Sequence, residues 1–122
     1  MITLKRAYDA KVCVGAKCFL VERLWPRGIR KENLRLNGWM RDVAPSHHLR
    51  RWFRHDPAKW EEFKHRYFAE LDAKPEAWKP LAEAARHDNV ILVYSSHDST
   101  HNNAVALKQY LEAKFARNIR AA

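Results

Sequence analysis

Val90-Ile91-Leu92-Val93-Tyr94-Ser95-Ser96-His97-Asp98-Ser99-Thr100-His101-Asn102-Asn103 is the stretch on which the fold turns. Its first five residues are apolar without interruption and mostly β-branched or aromatic. Such a run suits a strand buried on both faces, as in a parallel sheet. After the polar run, Ala104, Leu107, Leu111 and Phe115 recur at helical spacing. Asp98, Ser99 or Thr100 can cap that helix. Strand, polar loop and helix make a βα unit, whose loop lies at the strand's carboxyl end. Open α/β sheets bind their ligands there.

A second strand is expected from about Cys18 to Trp25. Leu20, Glu22 and Leu24 fall on one face, and Phe19, Val21, Arg23 and Trp25 on the other. Pro26 has no N–H for a ladder and ends it, and Gly28 lets the chain turn. Both faces are mainly apolar, which places this strand centrally and leaves the charges of Glu22 and Arg23 partly desolvated. The plainer reading is that the two pair with each other and Trp25 fills core.

A third strand is expected at 2–8, where polar and apolar residues alternate. Between the second and last strands the periodicity predicts helices. Leu36, Trp39, Met40 and Val43 give a short one over 37–43, ended by Pro45. Ser46 caps another, with Leu49, Trp52 and Phe53 inward. Asp56-Pro57 starts a third, about 57–72, striped by Trp60, Phe63, Tyr67 and Leu71. A fourth carries Trp78, Leu81, Ala82 and Ala85, its start delayed or kinked by Pro80.

With 122 residues the chain suits a single domain, 1–122, able to bury a core without staples. No apolar run approaches the ~20 residues of a membrane span, and residues 1–8 are unlike a secretory leader. The expected address is the cytoplasm, with no membrane partner. Cys13 and Cys18, the only cysteines, are then expected as free thiols. Two cysteines fall short of the four ligands of a closed zinc site. No cofactor is expected, since three glycines cannot build a dinucleotide or Walker loop. The formal charge of +9 favours acidic partners, with basic residues densest at Arg23 to Arg35 and Arg50 to Arg54.

The strongest candidate site is the amino end of the last helix, whose free N–H groups and dipole favour an anion. Thr100, His101, Asn102 and Asn103 would add donors there, and Arg23, Arg27 and Glu22 would come from the neighbouring strand end. His97-x-x-x-His101 has the spacing of a helical metal site, but cap residues lie between the two and no third ligand matches, so no metal is expected. Tryptophans interleave with arginines, as in single-stranded nucleic-acid sites. Trp39, Trp52, Trp60 and Trp78 nevertheless sit on apolar stripes and read as core, leaving the arginines to meet phosphates.

Glu22-Arg23-Leu24-Trp25-Pro26-Arg27-Gly28, Ala44-Pro45-Ser46, Leu49-Arg50-x-Trp52-Phe53, His55-Asp56-Pro57, Trp60-x-x-Phe63 and His101-Asn102-x-Ala104 follow the order seen in YeaO-like proteins. The chain resembles that family of small bacterial proteins of unknown function over nearly its whole length. The resemblance implies a compact α/β domain and no established reaction. The family pattern has Asp where this chain has Glu22, and Gly where it has Arg54. Larger, more distant relatives resemble it through an Asp-x-Arg strand end and a Cys-His-Arg helix start. By that likeness Glu22 and His101 would share one site, with Thr100 or His101 in place of the cysteine and no cysteine-dependent chemistry.

The expected fold is therefore α/β: a small, mostly parallel sheet with helices packed around it. The connection 9–15 is short for a crossover, which leaves room for an antiparallel first pair. The expected function is a site for a small anionic, phosphate- or nucleotide-like ligand, contacted by Arg23, Arg27, Thr100, Asn102 and Asn103. Enzyme chemistry stays open, with Glu22 and His101 in acid–base roles. A reading from another class is a nucleic-acid-associated or regulatory module, binding weakly and without sequence preference through its basic surface. A third is a structural interaction domain without chemistry. The sequence does not give the oligomeric state.

Overall fold

In the computed structural model, which describes residues 1–9, 13 and 15–121 and the side chains among these up to 115, the apolar run forms β4 (Val90–Tyr94). It lies between β1 (Ile2–Arg6) and β2 (Lys17–Leu20), and β2 in turn pairs with β3 (Gly38–Trp39), giving the order β1-β4-β2-β3. All three pairings are parallel, with Leu4 opposite Leu92, Leu20 opposite Val93, and Phe19 opposite Gly38. The fold is α/β.

Alternation in the central strand divides the core in two. Val90, Leu92 and Tyr94 face the helices, together with Ile2 and Val21. Ile91 and Val93 face the other way with Cys18 and Leu20, under Leu34, Leu36, Ile29 and Trp25. One face is thus covered by helices and the other by coil. The helices are α1 (His47–Phe53), α2 (Trp60–Asp72), α3 (Pro75–His87) and α4 (Asn103–Ala121). Phe53, Phe63, Tyr67, Leu71, Leu81, Leu107 and Leu111 meet in the helix-side core, as their stripes predict.

Several expectations are corrected. The first two strands are parallel and not adjacent, since β4 separates them. β2 stops at Leu20, not near Trp25. Val21 still donates to Val93 O at 3.1 Å, but the carbonyl of Glu22 accepts the Trp39 indole N–H at 2.7 Å, so a side chain replaces the ladder. Leu24 consequently points to solvent, 64% exposed, and Trp25 is half-buried against Trp39. Residues 37–43 form not a helix but β3 and a 3-10 turn over Arg41–Val43, because Met40 N–H pairs with Leu20 O at 2.8 Å. α3 begins at Pro75 and runs through Pro80, which sits early enough to forgo one helical bond without ending the helix.

Cys13 and Cys18 are joined in a disulfide, against the expectation of free thiols. Their Cα atoms lie 6.0 Å apart, inside bridging range, and Gly15 between them takes φ +73°.

Candidate functional site

Three segments converge at the carboxyl ends of β2 and β4. Glu22, the first contributor, lies two residues past β2. Asn103 donates to Val21 O at 2.7 Å, fastening the start of α4 to this strand end. Ser95, just past β4, donates its N–H to Glu22 Oε1 at 3.2 Å. Burial pushes the Glu22 carboxyl above its ordinary range, while the Ser95 amide, the charge of Arg50 and the Ser95 hydroxyl pull against that.

The second segment is the loop 95–102. Asp98 folds it by accepting from Thr100 N–H and His101 N–H, each at 2.9 Å. These bonds hold its carboxyl well below the usual carboxylate range. The cap of α4 itself is Asn102, only 3% exposed, whose Oδ1 accepts from Val105 N–H and whose Nδ2 donates to Asp98 O. Arg6 braces the loop from β1, donating to Ser96 O and to His97 Nδ1, each at 3.0 Å. A guanidinium only donates, so Nδ1 of His97 must accept and the ring proton sits on Nε2.

The third segment is α1. Ser46 caps it, accepting from Leu49 N–H, and the carboxylate of Glu70 takes both the N–H and the hydroxyl of Ser46, at 2.8 and 2.6 Å. Tyr67, whose phenol is pushed up by burial and by Glu22 and Glu70, donates to Val43 O at 2.5 Å and fixes the lead-in. The helix ends on Arg54 and His55, both left-handed at φ 51° and 55°. Non-glycine residues pay about 1–2 kcal/mol for that conformation. It turns the chain so that His55 lies on the same opening as His47.

Between these segments lies a cavity of about 610 Å³. Glu22, Ser95 and Asn103 line its sheet end, Arg50, Arg51, His47 and His55 its helix side, and Pro45, Phe53 and Phe63 an apolar wall. Among the described residues neither guanidinium of Arg50 or Arg51 takes a hydrogen bond or ion pair, although Arg50 is close enough for its charge to act on Glu22. No group of three His, Cys, Asp or Glu side chains converges as metal ligands among the described residues.

The structure brings together Glu22, Asn102 and Asn103 of the residues singled out by sequence. His101 turns aside, its Nδ1 on Asp98 and Thr100 and its ring edge-on to Trp60 at 5.4 Å. Thr100 is likewise spent on Asp98. Arg23 leaves in the other direction, lining a separate hollow with Trp39, Met40 and Glu76. Arg27 is exposed on the coil side, where its carbonyl accepts from Tyr8. Missed from sequence as parts of this site were His47, His55, Arg50 and Arg51. Three of them carried a signal: 47, 50 and 51 are spaced i, i+3, i+4, a stripe of one histidine and two arginines on the face of α1 opposite Leu49 and Trp52.

Fold and site define an α/β protein with an arginine-bearing cavity at the carboxyl ends of parallel strands. Over residues 1–122 the chain matches the family described as the inactive DUF488-N3 subclade, and it belongs to that family. It is 36% identical over 112 residues to the uncharacterized protein YeaO of Escherichia coli, covering 92% of this chain and 97% of that protein. It is 37% identical over 95 residues to the uncharacterized protein Rv3073c of Mycobacterium tuberculosis, covering 78% and 80%. No solved structure matches the chain.

Proposed function

We propose that the protein is a binding module for a small phosphate-bearing anion, held in the strand-end cavity by Arg50 and Arg51 and left chemically unchanged. The observation that carries this reading is the pair of cavity-lining guanidiniums without protein partners among the described residues. Guanidiniums match phosphate oxygens through paired N–H groups, and two of them without a hydrogen bond or ion pair of their own among the described residues, beside the carboxylate of Glu22, favour an external anion. Asn102 and Asn103 line the same cavity, but their amides are engaged in holding the start of α4. Two facts support binding without turnover. The expected acid–base partner of Glu22, His101, is committed to Asp98 and set edge-on to Trp60. The family description reads inactive.

Titration calorimetry and thermal unfolding with inorganic phosphate, ribose 5-phosphate and nucleoside monophosphates test this. Saturable binding is expected, with a stability gain that grows as RT ln(1 + [L]/Kd) and disappears in Arg50→Ala and Arg51→Ala. No saturable response to any of these anions would overturn it. Tight oligonucleotide binding with a steep salt dependence would put the nucleic-acid reading in its place. Conversion of a bound phosphate ester would restore the enzyme reading.

A further inference from the structure

We infer that the ligand of this cavity is a guanine nucleotide, with its phosphate on Arg50 and Arg51 and its base read by Glu22. This rests on the anion-binding reading above and goes past it, because the cavity is not uniformly cationic. A site for phosphate alone has no use for a partly buried carboxylate, yet Glu22 lines the same space as the two arginines. Its position is built: Ser95 N–H holds Oε1, Trp39 holds its carbonyl, and Asn103 anchors the residue before it. An ionised carboxylate offers about four acceptor sites and no donor; the Ser95 amide uses one and the Ser95 hydroxyl another. Acceptor capacity is left over, and a ligand group that meets it must donate.

The ligand therefore carries a donor for Glu22 and an anion for the two arginines. The apolar wall of Pro45, Phe53 and Phe63 lies in the same cavity and suits a flat heterocycle rather than a sugar. Its volume of about 610 Å³ accommodates a mononucleotide and falls within the usual range of ligand cavities. Among the bases, guanine presents two adjacent donors, its ring N1–H and its exocyclic amine, to one carboxylate. Adenine presents one donor beside a ring acceptor, and that acceptor would meet the carboxylate lone pairs. Sites that use buried polar groups reject analogues that leave those groups unpaired.

The test is calorimetry of the full chain with guanosine 5′-monophosphate, adenosine 5′-monophosphate and inorganic phosphate. The guanine nucleotide is expected to bind at least about tenfold more tightly than the adenine nucleotide, the size of one mismatched buried hydrogen bond. Glu22→Gln replaces two acceptors by one acceptor and one donor, so it should lose that preference while still binding inorganic phosphate. Phosphate binding by the variant also shows that it is folded and that the arginine end is intact. Equal affinity for the two nucleotides, or a guanine preference that survives in Glu22→Gln, would overturn the inference while leaving the anion site standing. Absence of binding by all three anions would overturn both.

Discussion

Ser95 and Glu22, seventy-three residues apart in the chain, are joined by a 3.2 Å hydrogen bond from the amide of one to the carboxylate of the other. That contact ties the carboxyl ends of β4 and β2 and gives Glu22 one fixed donor against the cost of burial. Burial wins, and the folded carboxyl holds its proton more tightly than the ordinary value of 4.5. Its contribution thus favours the fold below that value and is lost as pH rises through the folded one. Glu22→Gln is expected to be at least as stable as the parent at pH 7, with the gap closing towards pH 4. A loss of more than about 2 kcal/mol at pH 7 in urea unfolding would mean that Glu22 is held by an ion pair.

Asp98 titrates with the opposite sign. Its folded carboxyl lies below the ordinary 3.8, so its contribution is present above that value and fades as pH falls through the folded one. Asp98→Asn should therefore destabilise the protein at pH 7, and the difference should shrink on acidification. Parallel pH series for Asp98→Asn and Glu22→Gln should slope in opposite directions.

Arg54 ends α1 at φ 51° with an exposed side chain, where the YeaO-like pattern carries glycine. Arg54→Gly relieves about 1–2 kcal/mol of left-handed strain and loses part of that to unfolded-chain entropy. A net gain of about 0.5–1 kcal/mol is expected. Arg54 does not line the cavity, so anion binding should be unchanged.

Ser46 and Glu70 act as one unit that holds α1, and with it Arg50 and Arg51, against α2. Ser46→Ala removes the cap and should cost about 1–2 kcal/mol. Glu70→Ala strips the Ser46 N–H and hydroxyl of their partner and should cost a similar amount. Because the two share bonds, the double variant should cost less than the sum, which a double-mutant cycle in urea measures.

Where periodicity was long, the sequence read well: Val90 to Tyr94, the stripe of α2 and that of α4 all lie as expected. Short elements were harder, because a two-residue strand such as Gly38–Trp39 has no period and is made by pairing with Phe19 and Leu20. The stretch at 21–28 was half legible. Glu22 reaches the cavity, but the strand ends two residues before it, so alternation no longer governs where Arg23, Leu24 and Trp25 point. Arg23 consequently leaves the site, its Nε buried without a partner among the described residues. Trp25, half-buried, should lose clearly less on truncation than Phe63, at 1% exposure, for which Phe63→Ala should cost about 3–5 kcal/mol.

The Cys13–Cys18 bridge closes a loop across a sequence separation of five. In the chain-entropy account so small a loop stabilises by about 2 kcal/mol. Reduction by a dithiol should lower the unfolding free energy by roughly that amount. The fold should survive, because Cys18 remains packed with Leu20, Ile91 and Val93 whether or not its sulfur is bonded. Cys18 is fully buried and Cys13 only partly, so alkylation of the reduced native protein should label Cys13 first and Cys18 only on unfolding. Acid-quenched alkylation of protein taken directly from cells, read by mass spectrometry, reports which state is held there. A reducing compartment keeps such a pair as thiols, and an oxidising one preserves the bridge. Should reduction leave stability unchanged, the bridge contributes nothing to the fold, and packing of Cys18 as a small apolar side chain accounts for its place in β2.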